Sequence, residues 1–308
     1  MTNFILGRLL TSLPTLFIII TLSFFLMRSA PGGPFDANAD LDPAVIENLR
    51  AVYGLDKPLF SQYLSFLGDL AHGDLGLSLS RPGQTVSELL ATAFPVSIKI
   101  GLSAIILAII LGGISGILAA LNQNTILDYS VMTMAMTGIA IPNFVTAPIL
   151  TLVFGLYLNL LPIAGWNDGA LKNMVLPVIA LALPQIAGIA RIMRGGMLDV
   201  MRSDFIRTAR SKGLPMQKII LRHALKTASI PLVSYLGPAI AGIMTGSVII
   251  EVVFALPGVG RLFVEGAINR DYPVVMGVVI VYATAIIFLN FLADILYGYL
   301  DPRTRRTR

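Results

Sequence analysis

Apolar residues run along this chain in long blocks, not in short amphipathic periods. Residues 9–27, 100–121, 129–150, 173–190, 227–250 and 272–293 each lack Asp, Glu, Lys and Arg. A charge at the centre of a bilayer is costly. About 20 apolar residues, rising about 1.5 Å each, cross a hydrocarbon layer about 30 Å thick. The blocks therefore predict six transmembrane helices and an all-α polytopic membrane protein. The third block is the least regular, because charge is absent from 129 through 167 while Pro142 and Pro148 interrupt it. Neighbouring helices can satisfy backbone groups that proline frees inside a membrane. One kinked helix, followed by an irregular segment near Leu161-Pro162, is expected there instead of two spans. The first block is longer than the apolar region of about 7–15 residues in a signal peptide. Ala30 offers a cleavage-like position, but an uncleaved first span is expected.

The polar stretches between the blocks set the organisation. Residues 1–30 form the first transmembrane helix, 31–98 an external segment with short helices, and 99–308 a five-helix core that contains a loop at 191–226. Within the external segment, Asp42-Pro43 reads as an N-cap followed by proline at the first helical position, with Gly54 as the stop. A second short helix is expected over 59–70, where Phe60, Tyr63, Leu64, Phe66 and Leu67 recur at near-helical spacing.

Charge orients these pieces. The 191–226 stretch carries nine Lys/Arg against two Asp, whereas 28–98 carries eight Asp/Glu against four Lys/Arg. Positive loops stay cytoplasmic, so by parity both termini and the short 122–128 loop are expected inside. The 28–98 and 251–271 segments are then expected outside. Arg303, Arg305, Arg306 and Arg308 near the C-terminus agree.

Composition narrows the chemistry. Hydrophobic residues make up 56% and charged residues 13%, the latter about half the share of an ordinary soluble chain. The net charge of +5 lies where membrane orientation requires it, which excludes a nucleic-acid reading. Cysteine is absent and His72 and His223 are the only histidines. The topology puts those two on opposite sides, so no two-His metal site is expected. No Ser/His pair, paired Asp or metal motif lies at membrane depth, which argues against an intramembrane protease. The Gly-rich stretch 256–261 lacks the Gly-Lys-Ser/Thr ending of a phosphate loop. The chain therefore offers no nucleotide site of its own.

A few residues stand out within the spans. Gly112 with Gly116, and Gly242 with Gly246, place small residues one turn apart, which lets helix backbones approach closely in lipid. Their reading is a helix-packing seam, set against the general abundance of glycine in membrane helices. Glu251 and Asp294 fall at span ends, where a carboxylate marks either a hydrated helix end or a substrate path; Glu251 is the weak path candidate. Lys99 is expected to snorkel to the outer interface.

The 203–226 stretch reads as two helices and a sharp turn. Ser203 is a good N-cap, Asp204 suits the first turn, and a helix continues to Lys212. Gly213 stands where a left-handed C-terminal residue belongs, and Pro215 can open a second helix. The first piece is too short to be stable alone. It must pack against something, and its charged faces suit a soluble partner.

The segment from Phe205 through Arg207-Thr208-Ala209, three residues and Gly213, then Leu214-Pro215, resembles the EAA loop of ABC-importer permeases. Only Ala209 and Gly213 match the general Glu-Ala-Ala form, and His223 and Lys226 depart from its tail while Leu225 matches. These departures look like those of the oligopeptide/dipeptide importer subgroup. The opening Arg8-Leu9-Leu10 with Leu13-Pro14-Thr15-Leu16 is similar to the B-type permeases of that subgroup. So are Ala30-Pro31-Gly32, Gly54-Leu55-Asp56-Lys57-Pro58, His72-Gly73-Asp74-Leu75-Gly76, Phe94-Pro95-Val96-Ser97, Ile141-Pro142-Asn143-Phe144, Gly246-Ser247 through Glu251, and Leu256-Pro257-Gly258-Val259-Gly260.

This resemblance implies a type I ABC importer permease in a bacterial cytoplasmic membrane. Such a subunit is non-catalytic and binds no cofactor itself, since ATP and Mg belong to two partner ATPases. Further implied partners are a homologous C-type permease, an external substrate-binding protein and membrane lipid. Arg207, Thr208, Ala209, Gly213 and Leu214 are the implied ATPase-coupling residues. The implied cargo is an oligopeptide, with dipeptides, nickel chelates or glutathione as alternatives within the subgroup and a passive channel as a distant one.

Overall fold

The computed structural model describes residues 2–29, 47, 51 and 54–300. Five of its helices are long and apolar enough to cross a membrane, and a bent pair supplies a sixth crossing if it counts as one span. The α-helices of eight or more residues are α1 (Thr2–Ser29), α2 (Leu59–Ala71), α3 (Val86–Leu121), α4 (Ile126–Ala140), α5 (Asn143–Leu150), α6 (Leu171–Met201), α7 (Asp204–Ser211), α8 (Ile230–Val253), α9 (Val259–Ile268) and α10 (Tyr272–Leu300). The helix expected after Asp42-Pro43 lies outside the described residues. Its expected stop, Gly54, does adopt a left-handed φ of +62°.

Three boundaries differ from expectation. The proline kink is a full break: α4 and α5 meet at 105°. Steric clash with a following proline disfavours helical backbone, and Ile141 accordingly is extended, with φ −93° and ψ 117°. Pro148 sits inside α5 without ending it, and the chain then relaxes into a wide π-helical turn over Thr151–Tyr157. Second, α6 runs on past 190 to Met201, so the first part of the basic stretch is helix. Met193, Met197 and Val200 continue its buried series, and a helix leaving lipid has no reason to stop there. Third, the 251–271 segment contains α9, a helix that the charge-free blocks could not reveal.

The chain divides into two compact units. The first comprises 97–256 with residues from both ends of the chain, and its centre is α6. Gly112 and Gly116 of α3 lie flat against α6. A Cβ on Gly112 would stand 2.7 Å from Ile186 O, and one on Gly116 would collide with Ala190 O. Gly138 of α4 faces Leu183 O on α6. At one end of α6, Met197, Val200, Ile206, Ala209, Ile219, Ala224, Ala228 and Ala120 form a buried cluster.

The second unit comprises 10–96 and 257–284. Val86, Leu89, Leu90 and Ala93 of α3 pack with Val259 and Leu262 of α9 and with Val274 and Val278 of α10. A reciprocal cap starts α3: Thr85 N–H donates to Glu88 Oε2 (3.0 Å) and Glu88 N–H to Thr85 Oγ1 (3.2 Å). Asp271, fully buried, accepts from the Ser78 hydroxyl and from both N–H and hydroxyl of Ser80. It also accepts from Val274 N–H (3.3 Å) in the first turn of α10. Phe24 of α1 stacks on Phe66 of α2 with ring centroids 5.5 Å apart, and Tyr63 lies within 2.7 Å of the Thr21 hydroxyl.

Candidate functional site

Two features of the first unit carry chemistry: the short basic helix after α6 and the polar seam among the membrane helices. The basic helix α7 spans Asp204–Ser211, with Ser203 at its N-cap. The Ser203 hydroxyl donates backwards to Val200 O (2.6 Å), so it ties α7 to the end of α6 and does not cap α7 itself. Gly213 has φ +72°, and Leu214 N–H donates to Ala209 O (3.3 Å). That is the left-handed stop the sequence predicts. Pro215 N-caps the following turn, and a π-helical stretch, Ile219–Ala224, returns the chain toward α8.

Burial divides the candidate coupling residues. Ile206 is completely buried and Ala209 nearly so, both inside the cluster at the end of α6. Leu214 packs against the same cluster. Arg207, Thr208 and Gly213 are exposed; Arg207 forms a 3.2 Å pair with Asp204 on the open surface. Ala209 and Leu214 therefore anchor the helix, whereas Arg207, Thr208 and Gly213 present its outer face. An eight-residue helix cannot hold itself together in water, so the buried side is what gives α7 a fixed direction.

A second anchor was not legible in the sequence. Asp128, 1% exposed, receives a forked pair from Arg194 on α6, Nε at 2.6 Å and Nη2 at 2.7 Å, plus Asn124 N–H at 3.0 Å. Bidentate Arg–carboxylate geometry is the strong form of the interaction. It fixes the start of α4 to the part of α6 that leads into α7. The only sequence hint is a lone acid beside an apolar block, with an arginine just past the end of another.

The membrane helices hold the second feature. Glu251 is fully buried, not a hydrated helix end, and accepts a 2.7 Å bond from the Ser97 hydroxyl of α3. The reason is that α8 continues to Val253 and the chain then folds back. Leu256 N–H donates to the Glu251 backbone O (2.8 Å), Gly165 N–H donates to Phe254 O (2.8 Å), and Phe254 and Leu256 are themselves buried. Lys99 likewise does more than reach for an interface: its ammonium donates to Gly169 O (3.1 Å) and sits 5.4 Å from the centre of the Trp166 ring.

Along one face of α8, Tyr235, Gly242 and Gly246 meet side-chain amides. The Tyr235 hydroxyl donates to Gln185 Oε1 of α6 (3.0 Å). A Cβ on Gly242 would stand 3.1 Å from Gln185 Nε2, and one on Gly246 would stand 3.0 Å from Asn143 Nδ2. Asn143 is the first residue of α5, immediately after the break. Among the described residues no group of His, Cys, Asp or Glu is arranged to hold a metal ion.

Comparison with known proteins decides the family. Residues 108–306 match the family described as "Binding-protein-dependent transport system inner membrane component", and residues 1–100 match its N-terminal companion. The chain belongs to this permease family. Among its relatives, the oligopeptide transport system permease protein OppB of Escherichia coli K12 is 53% identical over 99% of this chain and 100% of its own. OppB of Haemophilus influenzae is 52% identical over the same shares. The dipeptide transport system permease protein DppB of Bacillus subtilis is 43% identical over 99% of this chain and 98% of its own. The permease is thus an all-α, multi-pass inner-membrane component, as the apolar blocks predict.

Proposed function

We propose that this permease is the B-type membrane subunit of an ATP-driven importer of oligopeptides. It pairs with a homologous permease to form the path, receives cargo from an external binding protein, and is driven by two cytoplasmic ATPases that supply ATP and Mg. The single observation that carries the coupling role is α7: an exposed basic face on a short helix whose other face is locked into the end of α6. A load applied to such a helix is transmitted to α6 instead of being absorbed by bending. The orientation that goes with this reading has both termini and α7 in the cytoplasm. The oligopeptide cargo rests on the 53% likeness to OppB against 43% to DppB.

The test is uptake of radiolabelled trialanine by cells that express the complete transporter. Gly213 adopts φ +72° and a side chain there meets open space, so Gly213→Glu strains the stop and adds an acid to the outer face without invading the core. Left-handed backbone costs a residue with a Cβ roughly 1–2 kcal/mol. The expected result is at least about a tenfold loss of uptake, with the subunits still co-purifying. Undiminished flux that does not require ATP would replace this reading with a passive channel.

A further inference from the structure

Asn143 Oδ1 is buried and accepts no hydrogen bond among the described residues. An amide oxygen in an apolar interior costs about 1–3 kcal/mol when left without a donor. Its position sharpens the question. It follows a 105° break, and non-helical backbone at membrane depth persists only inside protein or beside a water-lined cavity. One turn away along α8, Gln185 presents a second neutral amide, whose Nε2 nests against Gly242 while Asn143 Nδ2 nests against Gly246. The two glycines are four residues apart on α8, so the amides address points about 6 Å apart along that helix. Both side chains, and Tyr235 with them, are only half-buried, so their faces can be uncovered by a modest shift of α8.

We propose that Asn143 and Gln185 bind the peptide backbone of the passing cargo. This deepens the oligopeptide reading and rests on it. A carboxamide carries the same donor and acceptor as a peptide group. Two of them, set against points about 6 Å apart on α8, match the repeat of nearly two extended residues at about 3.3 Å each. Neutral amides suit a carrier that must accept varied side chains, because they read what every peptide shares and impose no charge preference. Gly242 and Gly246 let the amides lie directly on α8, and a Cβ at either position would displace them by a few tenths of an ångström. The unpaired Asn143 oxygen is the acceptor for a cargo N–H, and Tyr235 holds the Gln185 amide in its orientation.

The experiment compares trialanine with trialanine N-methylated at its internal amides, in cells carrying the full transporter. For each cargo, uptake by the wild type is divided by uptake by Asn143→Leu, the variant that removes the unpaired acceptor; Gln185 Oε1 already accepts from Tyr235, so what Gln185 offers the cargo is a donor that N-methylation does not probe. The external binding protein is identical in numerator and denominator, so its own preference cancels. Loss of a buried hydrogen bond is expected to lower trialanine uptake about tenfold and N-methylated uptake much less, because that cargo lacks the donor. Equal ratios for the two cargoes would overturn the proposal and leave the amides as packing or water-binding groups. Failure of the wild type to carry trialanine at all would instead sink the cargo assignment. Asn143→Gln, which keeps the amide, serves as the conservative variant and is expected to restore part of the discrimination.

Discussion

At the scale of single residues, what separates one glycine from another is the surface it meets. Gly116 of α3 lies against the backbone of α6 at Ala190, and a Cβ there would also come within 2.8 Å of Met193 Cβ. Gly113, three residues earlier on the same helix, has nothing within 4 Å of that position. Gly116→Ala must push two packed helices apart, which in a close-packed interior costs typically 1–3 kcal/mol (roughly). Gly113→Ala removes only the entropic penalty of glycine and should stabilise by about 0.5–1 kcal/mol. Thermal unfolding of the purified permease in detergent, followed by its single tryptophan, should move down for the first variant and level or up for the second. Equal shifts would mean the α3–α6 contact is not tight. The spacing of Gly112 and Gly116 was legible in the sequence because small residues one turn apart have a recognisable use in lipid. The different fates of neighbouring glycines were not, since spacing does not say which helix lies opposite.

Among the elements, α7 is the one whose stability is borrowed. Its apolar contribution to the core is Ile206 and Ala209; Phe205 is exposed, and the remaining residues are polar or charged. Ile206→Ala would remove a completely buried side chain, a change that costs about 2–5 kcal/mol in a core. Local opening takes less free energy than global unfolding, so the loss should appear first as melting of α7. Arg207, Arg210 and Lys212 are trypsin sites within this stretch. Limited digestion of the variant should therefore cut between 207 and 212 many times faster than in the wild type, while the remaining bands stay intact. An unchanged cutting rate there would show that α7 is held by something other than its buried side. The sequence conveyed the end of this helix through Gly213, because a left-handed stop is local chemistry, and the place of its start but not the bond there, since Ser203 donates back to Val200 O and does not cap α7. It did not convey the Arg194–Asp128 fork, nor that α6 runs unbroken into the basic stretch. Both depend on what packs alongside, which charge and periodicity along one strand of text leave unstated. The break at Pro142 falls between these cases: the proline marked the place, but its extended predecessor and the 105° angle follow from the pair Ile141-Pro142 taken together.

For the whole molecule, the bent pair α4–α5 either crosses the membrane or turns back within it. The two cases give opposite answers about which loops share a side. Between Gln123 and Ser211 lie the bent pair and α6. If the pair crosses, there are two crossings and both residues face the cytoplasm; if it turns back, α6 alone separates them and they face opposite sides. The chain has no cysteine, so single cysteines at Gln123, Ser211 and Gln84, all exposed positions, report without background. A membrane-impermeant maleimide added to intact cells should label the Gln84→Cys protein and leave the other two unmodified until the membrane is permeabilised. That pattern follows from the nine Lys/Arg against two Asp over 191–226 and the excess of acid over 28–98, because basic loops are retained on the cytoplasmic side. Labelling of Gln123→Cys but not Ser211→Cys from outside would make α4–α5 re-entrant. Labelling of Ser211→Cys from outside would put the basic helix out of reach of any cytoplasmic ATPase. The fork between Asp128 and Arg194 favours the first pattern on independent ground: it joins the start of α4 to the α7-bearing end of α6 at 2.6 Å, so Gln123 and Ser211 belong to the same end of that unit.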